Sequence, residues 1–256
     1  MKIVVAIKQV PARDSQLRMA ASGKWIDEAD LAYEVNEPDA YALEAGLQLK
    51  ERHGGEVVAL CAGPARAART IQEALAKGAD RAIHIEEDLS ACDPLAVARL
   101  LAAALAREAA DLVLTGLQSD DLGYGQTGVI LAELLGVPHA TLIMQVEKTD
   151  GGIRVKRELE NGWFQHVEMP LPALLTIQSG ISRLRYATLM GIKKARSKEV
   201  RRVTAESLGV APGVPGVVLE RMYLPERTKR TQLFEGSPRV AAAQLVEKLK
   251  FEARVL

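Results

Sequence analysis

The chain has 256 residues, and its 33 basic and 33 acidic side chains give a formal net charge of zero. Neutral charge argues against a dedicated nucleic-acid-binding protein, and an aromatic content of 4% argues against a base-stacking surface. Its two cysteines cannot form a disulfide framework, so we expect a reducing compartment. The longest apolar run, residues 100–106, is far shorter than the roughly 18 residues of a membrane span. The first residues already resemble a strand, so we expect no signal peptide and a cytoplasmic location.

Residues 1–135 alternate short apolar runs with segments of helical periodicity. The apolar runs predict buried parallel strands, and each is followed by a predicted helix. The predicted strands are residues 3–7, 57–61, 82–85 and 112–115, and the predicted helices are residues 40–52, 64–77, 93–108 and 127–135. This alternation predicts an α/β fold, a three-layer Rossmann-like parallel sheet with helices on both faces.

The pattern changes beyond residue 141. Apolar and polar side chains alternate in three segments separated by glycine-containing turns, which predicts antiparallel hairpins. The segments are residues 141–148, 153–159 and 163–168, and a buried strand at 173–177 follows. Proline and glycine, including Pro212 and Gly213, then interrupt the chain, and an amphipathic helix is predicted at 238–250. We therefore expect an α/β domain over residues 1–196 and a linker with a C-terminal arm over residues 197–256.

A glycine-rich loop follows the fourth predicted strand. It contains G-x-G-x-x-G at Gly123, Gly125 and Gly128, but a dinucleotide-binding fingerprint directly follows a strand, usually the first one, so a nicotinamide site is disfavoured. Glycine lets the backbone approach an anion, and the N–H groups of Gln126 and Thr127 lie at a predicted helix N-terminus, which attracts phosphate. The alternative is a flexible loop in which Thr127 is an ordinary helix cap.

Two other loops lie at strand ends, and the second of them consists of small residues. Residues 6–8 end the first strand, and residues 61–64 end the second. Carboxyl ends of parallel strands meet at one edge of a sheet, so we expect the three loops to converge where an adenine or a ribose can approach the backbone. Tight packing of strands against helices is the alternative explanation for the small side chains.

Residues suited to catalysis do not form a recognisable group. The four histidines are isolated and lack metal-binding spacing, so we expect neither a metal site nor catalytic residues. Cys61 lies in an apolar strand and is interpreted as a small buried hydrophobe rather than a nucleophile. Asp120 and Asp121 are interpreted as solvated carboxylates, with a ribose or a metal ion as the alternative ligand.

A basic run lies between residues 193 and 202. It contains Lys193 and Lys194 and follows the apolar pair Leu189 and Met190. The run is interpreted as a solvated face, and the alternative is a docking surface for an acidic partner.

Ordered motif matches extend over nearly the whole chain. They include V-A-I-K at 5–8, N-E-P-D at 36–39, V-K-R-E-L-E-N-G at 155–162 and R-Y-A-T-L at 185–189. On these motifs the chain resembles the β subunit of electron transfer flavoprotein. The resemblance implies an adenine nucleotide alpha hydrolase-like fold and a heterodimer with an α subunit. It further implies an electron carrier rather than an enzyme, with an FAD held mostly by the α subunit and a structural AMP in the β subunit.

The resemblance also implies which residues act. The implied AMP-binding residues are Ala6, Asn36, Glu37, Pro38, Asp39, Ala62, Asp121, Leu122, Gly123, Tyr124, Gly125, Gln126, Thr127, Gly128, Val129, Ile130, Leu131 and Ala132. The loop with Leu189, together with Met190, Lys193 and Lys194, is expected to dock onto acyl-CoA dehydrogenases of fatty acid β-oxidation. The electrons then pass to a membrane-associated electron transfer flavoprotein-quinone oxidoreductase, and the C-terminal arm packs on the α subunit.

Two alternatives remain open within and outside this family. Some relatives bifurcate electrons and hold a second FAD in place of AMP. A stand-alone adenine-nucleotide-binding enzyme would carry S-G-G-x-D-S or H-I-G-H, and neither motif occurs. Asn161, Gly125, Arg13 and Pro38 depart from residues common in the family, which leaves the direct flavin contacts of this chain undecided.

Overall fold

The computed structural model describes residues 1–210, 215–225 and 231–256, which form two compact units, Met1–Glu220 and Arg221–Leu256. The strands are β1 (Lys2–Ile7), β2 (Gln9–Pro11), β3 (Tyr33–Val35), β4 (Glu56–Gly63), β5 (Arg81–Glu86), β6 (Leu112–Gly116), β7 (His139–Thr149), β8 (Gly152–Glu158), β9 (Phe164–Met169), β10 (Ala173–Ile177) and β11 (Val200–Val203). The helices are α1 (Glu37–His53), α2 (Ala68–Lys77), α3 (Pro94–Leu105), α4 (Thr127–Leu135), α5 (Leu189–Ala195), α6 (Ala205–Leu208) and α7 (Pro238–Phe251).

The main sheet has the strand order β11-β5-β4-β1-β6-β10-β7-β8-β9. Neighbouring strands run parallel from β11 to β7, and β8 and β9 continue the sheet antiparallel. The short strands β2 and β3 form a separate antiparallel pair. The predicted Rossmann-like α/β fold with an antiparallel hairpin extension is therefore confirmed.

Helices cover both faces of this sheet because successive strand residues point to opposite sides. Val5 belongs to a core cluster with Leu43 of α1 and Leu75 of α2. Its neighbour Val4 belongs to a second cluster with Leu101 of α3 and Leu131 of α4. The near-continuous apolar runs of the central strands are thus explained by burial on both faces.

Several elements differ in extent from the prediction. Helix α1 begins at Glu37 rather than at residue 40, since Asn36 occupies the N-cap position and Pro38 fits the first turn. Strand β7 begins at His139 and pairs parallel with β10 as well as antiparallel with β8, so it joins the hairpin to the central sheet. Strands β2, β3 and β11 and helices α5 and α6 were not predicted, because they are too short to show a clear period.

The first unit continues past residue 196, where the sequence suggested that a linker begins. Strand β11 pairs parallel with β5, and Leu208 of α6 is buried in the core. Pro212 and Gly213 of the predicted linker lie outside the described residues. In the second unit, Ser237 caps α7 by accepting the N–H of Val240, and Pro238 occupies the first turn. That this unit packs on a partner subunit stays a prediction.

None of the helices in the described part of the chain is long and apolar enough to cross a membrane.

Candidate functional site

Strand β1 lies at the point where the chain changes direction across the sheet. It pairs with β4 on one side and with β6 on the other. After β1 the chain adds β4 and then β5 on one side of it, and it then returns across the sheet to add β6 on the other side. Open α/β sheets bind ligands beyond the carboxyl ends of the strands at such a switch point. We call this region the switch-point edge: residues 6–8, 62–64, 36–39 and 116–128.

A buried carboxylate joins the two strands at this edge. Asp39, on the first turn of α1, accepts a 2.7 Å hydrogen bond at Oδ2 from the backbone N–H of Lys8. Its Oδ1 accepts a 2.8 Å bond from the backbone N–H of Gly116 at the end of β6. Burial raises the pKa of Asp39 to about 7, although the two backbone hydrogen bonds oppose this shift. Both carboxylate oxygens of Asp39 are therefore engaged by backbone groups of the fold.

The amide of Asn36 fixes the glycine-rich loop to the start of α1. Its Nδ2 donates to the carbonyl of Gln118 at 3.0 Å, and its Oδ1 accepts the N–H of Asp120 at 2.9 Å. The carboxylate of Asp120 in turn accepts the N–H of Glu37 at 3.3 Å. Asn36 is fully buried, so these bonds are shielded from water.

Asp120 and Asp121, the two adjacent carboxylates of the loop, each lie close to a basic side chain. Lys8 Nζ lies 2.6 Å from Asp121 Oδ1 and 3.3 Å from the hydroxyl of Ser119. Arg13 forms an ion pair with Glu37 and lies 3.5 Å from Asp120. No group of three or more potential metal ligands occurs among the residues that the structure describes. The alternative that Asp120 and Asp121 hold a metal ion therefore gains no support.

The loop ends in a row of backbone donors. Gly123 and Gly125 both have φ near +63°, a region that glycine adopts without strain. The N–H groups of residues 124–129 donate to no other group in the described chain, and Gln126 provides no side-chain cap for α4. Such donors at the positive end of a helix dipole form a favourable anion site.

Two glycines allow the elements of this edge to approach closely. A Cβ at Gly116 would overlap the carboxylate of Asp39. A Cβ at Gly128 would lie 2.7 Å from both Thr115 Oγ1 of β6 and Thr176 Cγ2 of β10. Glycine at 128 is thus required for the packing of α4 onto the sheet, in addition to any role towards a ligand.

The structure places the predicted AMP-binding residues in two environments. Ala6, Ala62, residues 36–39 and residues 121–128 lie at the switch-point edge. Residues 129–132 of α4 differ, because Leu131 and Ala132 are fully buried in the core and Val129 and Ile130 are partly buried. Sequence reasoning missed Gly116, Ser119 and the pairing roles of Lys8 and Asp120. For Gly116 a signal was available, because it is a glycine that directly ends a strand.

A second exposed region lies around α5. Leu189 and Tyr186 are 87% and 90% exposed, and Met190 is also exposed. Thr188 caps α5 by accepting the N–H of Gly191 at 3.0 Å. We call residues 186–194 the docking segment; whether it docks onto a partner stays a prediction.

The basic run that follows is divided by the fold. Lys198 Nζ donates to the carbonyls of Leu75 and Ala79 at the end of α2, and burial lowers its pKa. Arg201 forms a 2.6 Å ion pair with Glu108, which is buried. Lys193 and Lys194 instead are exposed and form no ion pair with the described residues. The free positive charge is thus concentrated on α5, beside Leu189.

Comparison with known proteins settles the family. The family model described as electron transfer flavoprotein domain matches residues 24–208. The chain is 37% identical to "Electron transfer flavoprotein subunit beta" of Methylophilus methylotrophus, over 96% of this chain and 97% of the relative. It is 35% identical to "Electron transfer flavoprotein subunit beta, mitochondrial" of Oryza sativa subsp. japonica over the full length of both. It is also 35% identical to "Electron transfer flavoprotein subunit beta" of Bos taurus, over 82% of this chain and 84% of the relative. The chain belongs to the electron transfer flavoprotein family, among its β subunits.

Membership in this family makes the chain an electron-carrier subunit rather than an enzyme. The resemblance noted in the sequence is confirmed, and it associates the chain with a flavin. Some relatives are named as mitochondrial, so a cytoplasmic location stays a prediction.

Two buried residues near the switch-point edge have packing roles in this electron-carrier fold. Burial raises the pKa of Cys61 to about 12, which keeps its thiol protonated and unreactive. His84 is fully buried, and its Nε2 lies 3.0 Å from the carbonyl of Gly63. The first observation agrees with the interpretation of Cys61 as a small buried hydrophobe, and the second shows that His84 is packed inside the fold.

Proposed function

We propose that this chain is the β subunit of a heterodimeric electron transfer flavoprotein. Together with an α subunit that holds most of the FAD, it shuttles electrons from acyl-CoA and related dehydrogenases to a membrane quinone oxidoreductase. FAD supplies the redox chemistry, since it accepts and releases single electrons. The role of this chain is to bind, orient and present, which its family membership supports.

The observation that carries the nucleotide part of this proposal is the row of free N–H donors at residues 124–129. These donors and the dipole of α4 suit the phosphate of AMP. The small side chains of Ala6 and Ala62 leave room for a ribose and an adenine near the strand ends. Lys8 offsets the charge of Asp121, so a phosphate meets less repulsion in this loop.

Binding through backbone donors explains why few aromatic side chains are needed. Asn36 and Asp39 hold the loop in place through hydrogen bonds to its backbone and to the end of β6. The site is therefore preorganised before a nucleotide binds, which reduces the cost of binding. AMP accordingly serves as a structural ligand in this proposal.

Extraction of bound nucleotides tests the proposal. The chain is coproduced with its α subunit, the purified complex is denatured, and the released nucleotides are identified by chromatography and mass spectrometry. We expect FAD and AMP in equal amounts. Twice as much FAD without AMP would show the bifurcating alternative, and a properly assembled complex without either nucleotide would overturn the proposal.

A matched pair of glycine variants tests the position of the AMP phosphate. Gly125 and Gly136 flank α4 and have φ near +63° and +65°, and a Cβ would meet nothing closer than 3.9 Å at Gly125 and nothing within 4 Å at Gly136. Replacing either by alanine forces the same strained backbone, at about 1–2 kcal/mol. We expect Gly125→Ala to lower the AMP content and Gly136→Ala to retain it. Equal AMP contents in the two variants would show that the AMP phosphate does not bind to this loop.

Two surfaces would contact protein partners. The docking segment presents Leu189 and Met190 for the dehydrogenase, with Lys193 and Lys194 beside them. Helix α7 of the second unit exposes Leu245 and Val246, which we assign to contact with the α subunit.

A further inference from the structure

Arg185 lies immediately before the docking segment and is held by two carboxylates of α1. Its Nε donates to Glu44 Oε2 at 2.8 Å, and its Nη2 donates to Glu44 Oε1 at 3.0 Å. Its Nη1 donates to Glu51 Oε1 at 2.6 Å, and Nη2 also reaches Glu51 Oε2 at 3.1 Å. A planar guanidinium forms such paired bonds, whereas a lysine ammonium cannot form all of them at once.

Burial makes the contact with Glu44 the critical one. The Glu44 side chain is 5% exposed, while that of Glu51 is 57% exposed. Burial alone would raise the pKa of Glu44, but hydrogen bonds from Arg185 and Gln48 lower it below its usual value. Glu44 therefore stays charged and requires its cation, because a buried carboxylate without a partner is costly.

Other contacts fix the far side of the docking segment. A Cβ at Gly191 would overlap the carbonyl of Ala76, so α5 lies directly against α2 at this point. Lys198 donates to the carbonyls at the end of the same helix. The exposed side chains of Tyr186 and Leu189 thus project from a segment that is fastened at both ends, to α1 by Arg185 and to α2 by α5 and Lys198.

We propose that Arg185 is a positioning residue for partner docking: the contacts with Glu44 and Glu51 hold the segment that presents Leu189 in the shape that the dehydrogenase recognises. The inference rests on the proposed docking function of Leu189. A segment ordered in advance loses less conformational entropy when a partner binds, so the fastening lowers the concentration needed for docking. Arg185 itself touches neither flavin nor partner in this proposal.

A double-mutant cycle on the assembled αβ complex tests this role. The variants are Arg185→Lys, Leu189→Ala and the two combined, and the complex is the electron acceptor of an acyl-CoA dehydrogenase supplied with its acyl-CoA. We expect Arg185→Lys to raise the KM for the complex by about two- to tenfold with little change in kcat. In the Leu189→Ala background, the same substitution is expected to have less than about a twofold further effect, because both act through one contact.

The outcomes separate the inference from the proposed function. If Leu189→Ala leaves the KM unchanged, the docking function fails and the inference fails with it. If Leu189→Ala raises the KM while Arg185→Lys does not, or the two effects multiply independently, docking stands and the positioning role of Arg185 is overturned. The FAD content, measured by absorbance, is expected to be the same in all variants.

Two further variants guard against general destabilisation. Arg154 forms an exposed paired contact with Glu168 on the β8–β9 hairpin, so Arg154→Lys removes a similar ion pair away from the docking segment. It is expected to leave the KM unchanged. Glu51→Gln weakens only the exposed contact of Arg185 and leaves the buried contact with Glu44 in place, so it is expected to raise the KM less than Arg185→Lys. If the KM rises in every variant in proportion to its loss of thermal stability, Arg154→Lys included, the positioning role is overturned.

Discussion

The carboxylate of Asp39 accepts a 2.8 Å hydrogen bond from the backbone N–H of Gly116, 77 residues further along the chain. The other oxygen of the same carboxylate accepts the N–H of Lys8. One side chain therefore joins the carboxyl ends of β1 and β6, between which the switch point lies. The position of the proposed nucleotide site depends on this buried link.

Asp39→Asn is expected to destabilise the fold by about 1–3 kcal/mol at pH 7, because an amide accepts only one of the two N–H groups and turns its own NH₂ towards the other. Urea denaturation of the purified protein measures the loss. Asp111→Asn is the control, since Asp111 accepts the exposed N–H of Lys2 at the opposite end of β1. Equal losses in the two variants would contradict the special role of Asp39.

The stability that Asp39 contributes is expected to depend on pH. Burial raises its pKa to about 7 from an ordinary value of 3.8, so the folded protein binds this proton more tightly than the unfolded chain does. The contribution therefore falls as the pH rises from about 4 to about 7, by up to about 1.4 kcal/mol per pH unit, and is constant above that window. The difference in unfolding free energy between wild type and Asp39→Asn isolates it. A difference that is flat, or that grows with pH, would show that Asp39 is not protonated in the fold.

Gly116→Ala is expected to lower the melting temperature, because the added Cβ would overlap the Asp39 carboxylate and crowd Pro38. Overpacking of this kind costs about 1–3 kcal/mol. Gly151→Ala, in the turn between β7 and β8, provides the control because a Cβ there meets nothing within 4 Å. Similar melting temperatures for the two variants would mean that β6 and α1 can move apart without loss.

The exposed lysines of α5 are expected to accelerate docking through charge. Replacing Lys193 and Lys194 by alanine should slow the second-order reduction of the complex by an acyl-CoA dehydrogenase about threefold or more at low ionic strength. The difference should disappear at high salt, where charges are screened. Lys148→Ala, in the exposed β7–β8 hairpin, is the control and should keep the wild-type rate. A salt-independent defect would assign these lysines a role other than steering.

The C-terminal helix is expected to stabilise the assembly with the α subunit. Leu245 is exposed on α7, and replacing it by aspartate would place a charge in a buried contact of the complex. We expect at least about a tenfold weaker association, measured by sedimentation of a dilution series. Gln244→Asp changes the neighbouring exposed residue and should have little effect. Unchanged association of the Leu245 variant would exclude this face of α7 from the interface.

Local sequence patterns predicted most of the sheet and helices. The runs at 3–7, 57–61 and 112–115 are apolar and β-branched because β4, β1 and β6 are buried on both faces. Short elements were missed, since three or four residues, as in β2 or β11, carry no reliable period. For β7, the alternation of apolar and polar residues predicted the hairpin but not the parallel pairing with β10. Pairing with a strand that is distant in sequence does not change the local periodicity.

The sequence by itself determined the family, the alternation of strands and helices, and the glycine-rich loop before α4. Only the tertiary structure decided which of these residues hold the loop to the sheet and to α1, because hydrogen bonds such as those of Asn36 and Asp39 join positions about 80 residues apart. It likewise divided the basic run, whose residues look alike in sequence. Lys198 and Arg201 are bound to carbonyls and a carboxylate of other elements, whereas Lys193 and Lys194 are exposed and form no ion pair with the described residues.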